Sequence, residues 1–232
     1  MTKRLLDSNK KLSTSSHNIK NLDNESDQIK SILTEITKTK LDSEFSIINN
    51  NISYKLGHDS KILSKIYEII LIDQLKKILD LQRFKYLDNN IQNKYPDFII
   101  LSNIQSDKYY AVDIKSTYLK TPNTINGFTL GTYNGYFKDR DSLKSIVKSY
   151  KDFLKHWCIG VIYDRCSDSI PVKHLLIREK WEIASNVPGS GNTNNIGSLK
   201  NLSNLLENKP YFKSEDDFNQ FWLSTKARMR TS

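Results

Sequence analysis

Lys94-Tyr95-Pro96-Asp97-Phe98-Ile99-Ile100 and, after a polar link, Tyr110-Ala111-Val112-Asp113-Ile114-Lys115 form the stretch that decides the fold. Each carboxylate lies in a short apolar run, where it is costly unless paired or bound to a metal. The run after Asp97 reads as a strand, as does Tyr109–Thr117, and the polar link Ser102–Lys108 is short enough to close a hairpin. Side chains alternate along a strand, so Asp113 and Lys115 share one face while Val112 and Ile114 take the other. Hairpin pairing brings Asp97 close to Asp113, with Lys115 beside them. Two carboxylates and an ammonium around one point can hold Mg²⁺ and steady a water for attack on a phosphodiester. The bland alternative is that Pro-Asp only begins a turn and Asp-x-Lys is a solvated strand edge.

Working outward, Asp59 or Ser60 caps a long helix to about Leu81, with Ile62, Leu63, Ile66, Ile69, Ile70 and Leu75 inward. Glu68 within it is either a solvated flank residue or a third carboxylate facing the hairpin. Ile29, Ile32, Leu33 and Ile36 give an amphipathic helix over Asn24–Thr39, and residues 1–20 read as a polar, disordered or loosely held tail. Phe45–Tyr54 suggests a short strand pair around Asn49-Asn50-Asn51. After the hairpin come a Gly-containing loop over Asn126–Gly135 and a basic helix from about Asp141 to Lys155. Trp157–Tyr163 is apolar throughout, as in a strand buried on both faces. A further strand over Val172–Ile183 and an amphipathic helix over Phe212–Arg230 complete the pattern. The fold class is therefore α/β or α+β, a central mixed sheet flanked by helices.

At 232 residues the chain fits one domain and can bury a core. Residues 21–232 are taken as one domain. No apolar run approaches the roughly 20 residues that span a bilayer. Met1–Lys20 has no apolar segment of a secretory signal, and Cys158 and Cys166 suit a reducing cytoplasm rather than a disulfide scaffold. The four histidines are scattered without zinc spacing, and His156 reads as structural. A net charge of +9 permits a polyanionic partner, although Lys, Asn and Ile richness can also follow from codon bias.

The second strong feature is Pro188-Gly189-Ser190-Gly191-Asn192-Thr193-Asn194-Asn195-Ile196-Gly197-Ser198. It can be a long surface turn, since Gly and Asn tolerate positive φ. It lacks the Lys-Ser/Thr pair of a P-loop. It can also read bases, because Asn pairs bidentately with adenine in the major groove and Gly lets backbone approach base edges.

Taken with the hairpin, this loop resembles the EcoRV-like type II restriction endonucleases of the PD…(D/E)xK nuclease superfamily. The resemblance runs in order over roughly residues 24–225, through Gly57 with Asp59–Glu68, Gln92-Asn93, Phe128-Thr129-Leu130-Gly131, His156-Trp157 and Lys180-Trp181. It implies that Asp97, Asp113 and Glu68 serve the Mg²⁺ site and that Lys115 orients the attacking water and stabilises transition-state charge. Gly189, Ser190, Gly191, Asn192, Thr193 and Asn195 would read bases. Gln92 and Asn93 would face the minor groove, with Lys144 and Arg228 on the backbone. It further implies that residues 21–232 form one catalytic and DNA-binding domain with an N-terminal dimerisation part, in a homodimer that cuts double-stranded DNA at GATATC to blunt ends, with a methyltransferase in the same system protecting host DNA. A two-fold protein on a palindrome is a sound physical match, and a central T-A step unstacks easily. The chain departs from the pattern with Lys94 for a histidine, Asn194 for a threonine and Gly135 for a serine. The rival readings are a related nuclease of other specificity and a catalytically silent DNA-binding protein.

Overall fold

The structure is a computed structural model that describes residues 2–41, 44–91, 93–165, 169–189 and 194–225, with side chains from residue 19 onward. No Gly or Pro occurs before Gly57, so nothing breaks the first helix, and α1 spans Thr2–Ile36. It thus extends N-terminally beyond the expected Asn24–Thr39 and takes in most of the segment read as a tail. Ile29, Leu33 and Ile36 are fully buried on its inner face, as the spacing required. The expected strand pair is present as β1 (Ser46–Asn49) and β2 (Ile52–Lys55), turning through Asn50 and Asn51 at positive φ.

Helix α2 covers Ser60–Leu81, and the Asp59 carboxylate caps it by accepting from the amides of Lys61 and Ile62. Its buried stripe is Leu63, Tyr67, Leu71, Leu75 and Leu79. Ile62 and Ile69, expected inward, are exposed. Because α2 is apolar on more than one face, the pattern admitted two neighbouring stripes. The stripe that centres Tyr67 is buried, its ring packing edge-on against Phe45 and tilted against Tyr163.

Next come β3 (Tyr86–Asp88), β4 (Phe98–Leu101), β5 (Tyr109–Thr121), β6 (Thr124–Ile125) and β7 (Thr129–Thr132). β7 lies inside the stretch expected to be a Gly-containing loop. A π turn at Tyr133–Phe137 and a 3₁₀ turn at Tyr150–Asp152 lead to β8 (Phe153–Tyr163) and β9 (Val172–Glu179). The expected strand Val172–Ile183 ends early, giving way to the one-turn α3 (Lys180–Ile183). β10 (Ala184–Pro188), β11 (Asn195–Ser198), α4 (Leu202–Leu206) and α5 (Glu215–Ser224) follow. Ser214 caps α5, and Glu215, Asp216 and Asp217 complement its N-terminal dipole.

The helix expected over Asp141–Lys155 does not form. Ile146 instead bridges Tyr95, with the Tyr95 amide donating to the Ser145 carbonyl and the Val147 amide to the Tyr95 carbonyl. A pairing to a residue far away in sequence thus takes the β-branched pair out of the helix.

The central sheet has the order β3-β4-β5-β8-β9, with β6 paired to β5. Its β5–β8 pair is parallel and its β3–β4, β4–β5 and β8–β9 pairs are antiparallel, confirming the mixed sheet. One face, carrying Val112, Ile114, Trp157, Ile159 and Ile177, packs on α1 and α2. The other, carrying Ala111, Cys158 and Leu176, packs on Phe128, Tyr136, Phe137, Phe218 and Trp222. A smaller sheet, β10-β11-β7, adjoins this second face.

Candidate active site

The β4–β5 hairpin pairs Phe98 with Val112, which sets Asp97, just before β4, across from Asp113. The turn that carries Asp97 is clamped by Asn89, whose Nδ2 donates to the carbonyls of Lys94 (2.6 Å) and Pro96 (2.7 Å). Asp97 Oδ2 accepts from the Ile114 amide at 2.7 Å, so the carboxylate is fixed against the backbone between Asp113 and Lys115. Lys115 Nζ donates to Asp113 Oδ1 at 2.8 Å and lies 3.5 Å from Asp97 Oδ2. Alternation along β5 together with hairpin pairing forecast this grouping.

The row on this face continues across the sheet by register. Asp113 pairs with Cys158 and Lys115 with Gly160, and these pair in turn with Arg178 and Leu176. Gly160 leaves room that a side chain would fill: a Cβ there would stand 2.9 Å from Leu176 Cδ1 and 3.1 Å from Phe128 Cζ. His156, on the same face, stacks on Tyr150 at 4.0 Å between centroids, and its Nδ1 bonds the Tyr95 hydroxyl at 2.8 Å. Burial, helped by the cations Lys180, Arg140 and Lys155, holds this imidazole well below the ordinary range, so it is neutral. His156 is a packed structural residue, as expected.

Asp113 is 3% exposed, and burial raises its pKa to about 7, with Asp97 adding to the rise and Lys115 opposing it. Burial also works against the Lys115 charge, but Asp113 and Asp97 outweigh it and lift that pKa above the ordinary lysine range. The carboxylate pair therefore carries more buried negative charge than Lys115 alone balances. Its donors are hard oxygens, which suits a small divalent cation such as Mg²⁺.

Glu68 comes from α2, which packs on the opposite face of the sheet, and it pairs with Lys65 at 2.5 Å. Among the described residues no three His, Cys, Asp or Glu side chains stand together as a metal cage, so Glu68 is not brought to Asp97 and Asp113. Asn93 is exposed at positive φ, and Lys144 is exposed in the segment before Ile146. Gly189 and Asn195 sit at the two ends of the glycine-rich loop, joined by the Gly189 amide to the Asn195 carbonyl (2.8 Å). Gly197 permits the close approach of β11 to β10, since a Cβ there would collide with the Val187 carbonyl. Ser190, Gly191, Asn192, Thr193, Gln92 and Arg228 lie outside the described residues.

Sequence reading gave no role to Lys180, which the structure buries beneath Tyr95 on this face. Its place is set where the chain leaves β9 and turns into α3, which no local pattern in the sequence marks.

Residues 37–232 match the family model described as restriction endonuclease EcoRV. The chain is 34% identical over 188 residues to the type II restriction enzyme EcoRV of Escherichia coli, covering 73% of this chain and 76% of that protein. In fold it is similar to the NlaIV restriction endonuclease, with a TM-score of 0.52 at 13% identity over 82% of this chain and 73% of that one. With its two carboxylates and lysine gathered at one point of a matching fold, the chain belongs to the EcoRV family of type II restriction endonucleases, site-specific deoxyribonucleases.

Proposed function

We propose that this enzyme is a Mg²⁺-dependent nuclease that acts as a homodimer and cleaves both strands of GATATC at the central T-A step, leaving blunt ends. The observation that carries the hydrolytic reading is the grouping of Asp97, Asp113 and Lys115, with the Lys115 ammonium 2.8 Å from Asp113. Asp97 and Asp113 would hold Mg²⁺, which when bound supplies Lewis-acid stabilisation of the scissile phosphate and lowers the pKa of a water. Glu68 is the auxiliary carboxylate of this reading. Lys115, fixed between the carboxylates, orients the attacking water and offsets charge that grows on the phosphate oxygens. Water attacks in line, with inversion at phosphorus.

The net charge of +9 favours a DNA partner. Ile47, Ile48, Ile52 and Tyr54 of the β1–β2 hairpin are all more than half exposed, an apolar surface that a second subunit would cover. Gly189, Ser190, Gly191, Asn192, Thr193 and Asn195 would enter the major groove, and Gln92 and Asn93 the minor groove. Lys144 and Arg228 would contact phosphates.

The test is digestion, with Mg²⁺, of two plasmids that differ only in one GATATC site. Linearisation of the site-bearing plasmid alone, with blunt ends, supports the whole reading. Cutting elsewhere rejects the inherited specificity. Tight binding without cutting would indicate a silent DNA-binding protein.

A further inference from the structure

Lys180 is a buried cation that the hydrolytic reading leaves unused. It is 4% exposed, and its Nζ has no hydrogen-bond partner. The ammonium stands 4.0 Å from the centroid of the Tyr95 ring, 5.7 Å from that of Tyr150 and 6.0 Å from that of Tyr136. Three aromatic rings offset part of the cost of burying it. A methionine would fill the same cage with no charge to desolvate, so packing gives no reason for an ammonium here.

Position supplies the reason. Asp113 and its register partner Cys158 point to one face of the main sheet. Lys180 opens α3, where the Glu179–Glu182 capping box turns the chain out of β9, and the three rings around its ammonium pack with Ala111 and Cys158 on that same face. The ring that receives its ammonium belongs to Tyr95, two residues before Asp97. Lys180 therefore stands at the end of β9 on the face of the sheet that carries Asp113 and Lys115. The electrostatics agree. Burial lowers the Lys180 pKa to about 8, while Asp113 works to raise it, and Lys180 in turn opposes the effect of burial on Asp113.

We infer that Lys180 is a positioning residue of the nuclease site, the second counter-charge to the Asp97–Asp113 pair. With Lys115 it balances two carboxylates by two ammonium groups, so the site is close to neutral until a divalent cation enters. That cation then binds against the repulsion of both lysines. The inference rests on the proposed reading only in treating Asp97 and Asp113 as the cation's ligands.

A double-mutant cycle tests it on the full chain without DNA and in EDTA, with the melting temperature as readout. The variants are Lys180→Met, Asp113→Asn and the double substitution. The expected result is non-additive: the double variant melts higher than the two single shifts predict, because each single change leaves an opposite charge buried without its partner. Additive shifts would overturn the inference. If Lys180→Met alone is too unstable to purify, a folded double variant supports the pairing and an unfolded one rejects it. Mn²⁺ binding to the free enzyme, followed by electron paramagnetic resonance, gives an independent measure. Lys180→Met is expected to bind Mn²⁺ several-fold more tightly, since the ion carries two charges against the one of a competing proton. Unchanged affinity would count against the role. Neither measurement requires cleavage. A failed cycle beside intact plasmid cutting removes the role of Lys180 alone, whereas absence of cutting removes the nuclease reading and leaves the cycle decisive.

Discussion

Replacing Asp113 with Asn should stabilise the metal-free protein at mildly alkaline pH and give little or no gain in mild acid. Burial, with Asp97 adding to it, raises the carboxyl from its ordinary 3.8 to about 7 in the folded chain. A raised folded pKa means that the native state holds a proton which the unfolded chain has released. The contribution is therefore favourable at low pH and is lost as pH rises from the unfolded value through the folded one. At about 1.4 kcal/mol per unit, the full effect is on the order of 4 kcal/mol. Asn removes this penalty, in which the pull of Lys115 at 2.8 Å is already counted, but it buries amide N–H donors beside that ammonium. An unsatisfied buried donor offsets about 1–3 kcal/mol. A net gain of about 1–3 kcal/mol above neutrality follows. Urea denaturation in EDTA at about pH 5 and about pH 8 measures it for both proteins. A difference between variant and parent that stays constant with pH, or shrinks toward pH 8, would refute the reasoning.

Further expectations follow from other positions. Gly160→Ala drives a methyl against Leu176 and Phe128 and should cost about 1–3 kcal/mol in urea denaturation; an unchanged midpoint means the two side chains retreat freely. Glu25→Ala leaves the Ser102 and Tyr110 hydroxyls and the Asn103 amide without their acceptor. It should cost about 2–4 kcal/mol and speed amide exchange in the C-terminal half of α1, where native-like exchange would show that Glu25 is not the tether. Asp113→Ala should abolish cleavage yet still shift GATATC-bearing DNA in a gel, and robust cutting by this variant would sink its assignment to the metal. Asn192→Ala should lose about 1–3 kcal/mol of discrimination at an adenine, read as kcat/KM on cognate against single-substituted sites.

The hairpin of Asp97, Asp113 and Lys115 was legible because two local signals agreed, the alternation along β5 and a link too short to do anything but turn. The Asp59 cap of α2 was legible for the same reason, since side-chain capping is decided within one turn. The inward stripe of α2 was misassigned at Ile62 and Ile69, because a helix apolar on several faces does not say which one meets a sheet. The expected helix after Asp141 failed on a long-range contact, the bridge from Ile146 to Tyr95. Lys180 carries no local signal, because its burial depends on Tyr95, Tyr136 and Tyr150, which are far from it in the chain. Glu68 stands on the helical face nearest the sheet only by sequence analogy. In the fold it pairs with Lys65, behind the catalytic strand.

If the proposed site residues hold, the two sheets divide the enzyme's labour in a way that bears on how its specificity can be rewritten. Asp113 and Lys115 lie on the interior strand β5, which is locked to β4 on one side and β8 on the other. Local opening there requires disrupting the middle of the main sheet, so these groups belong to the last part of the molecule to exchange its amides. The glycine-rich segment instead follows β10 and precedes β11, in a small sheet whose pairings carry register shifts. An alphabet of loop sequences can therefore be grafted between Pro188 and Asn195 while the hydrolytic machinery keeps its geometry. Libraries confined to that window should yield enzymes that differ in what they cut and agree in how they cut it.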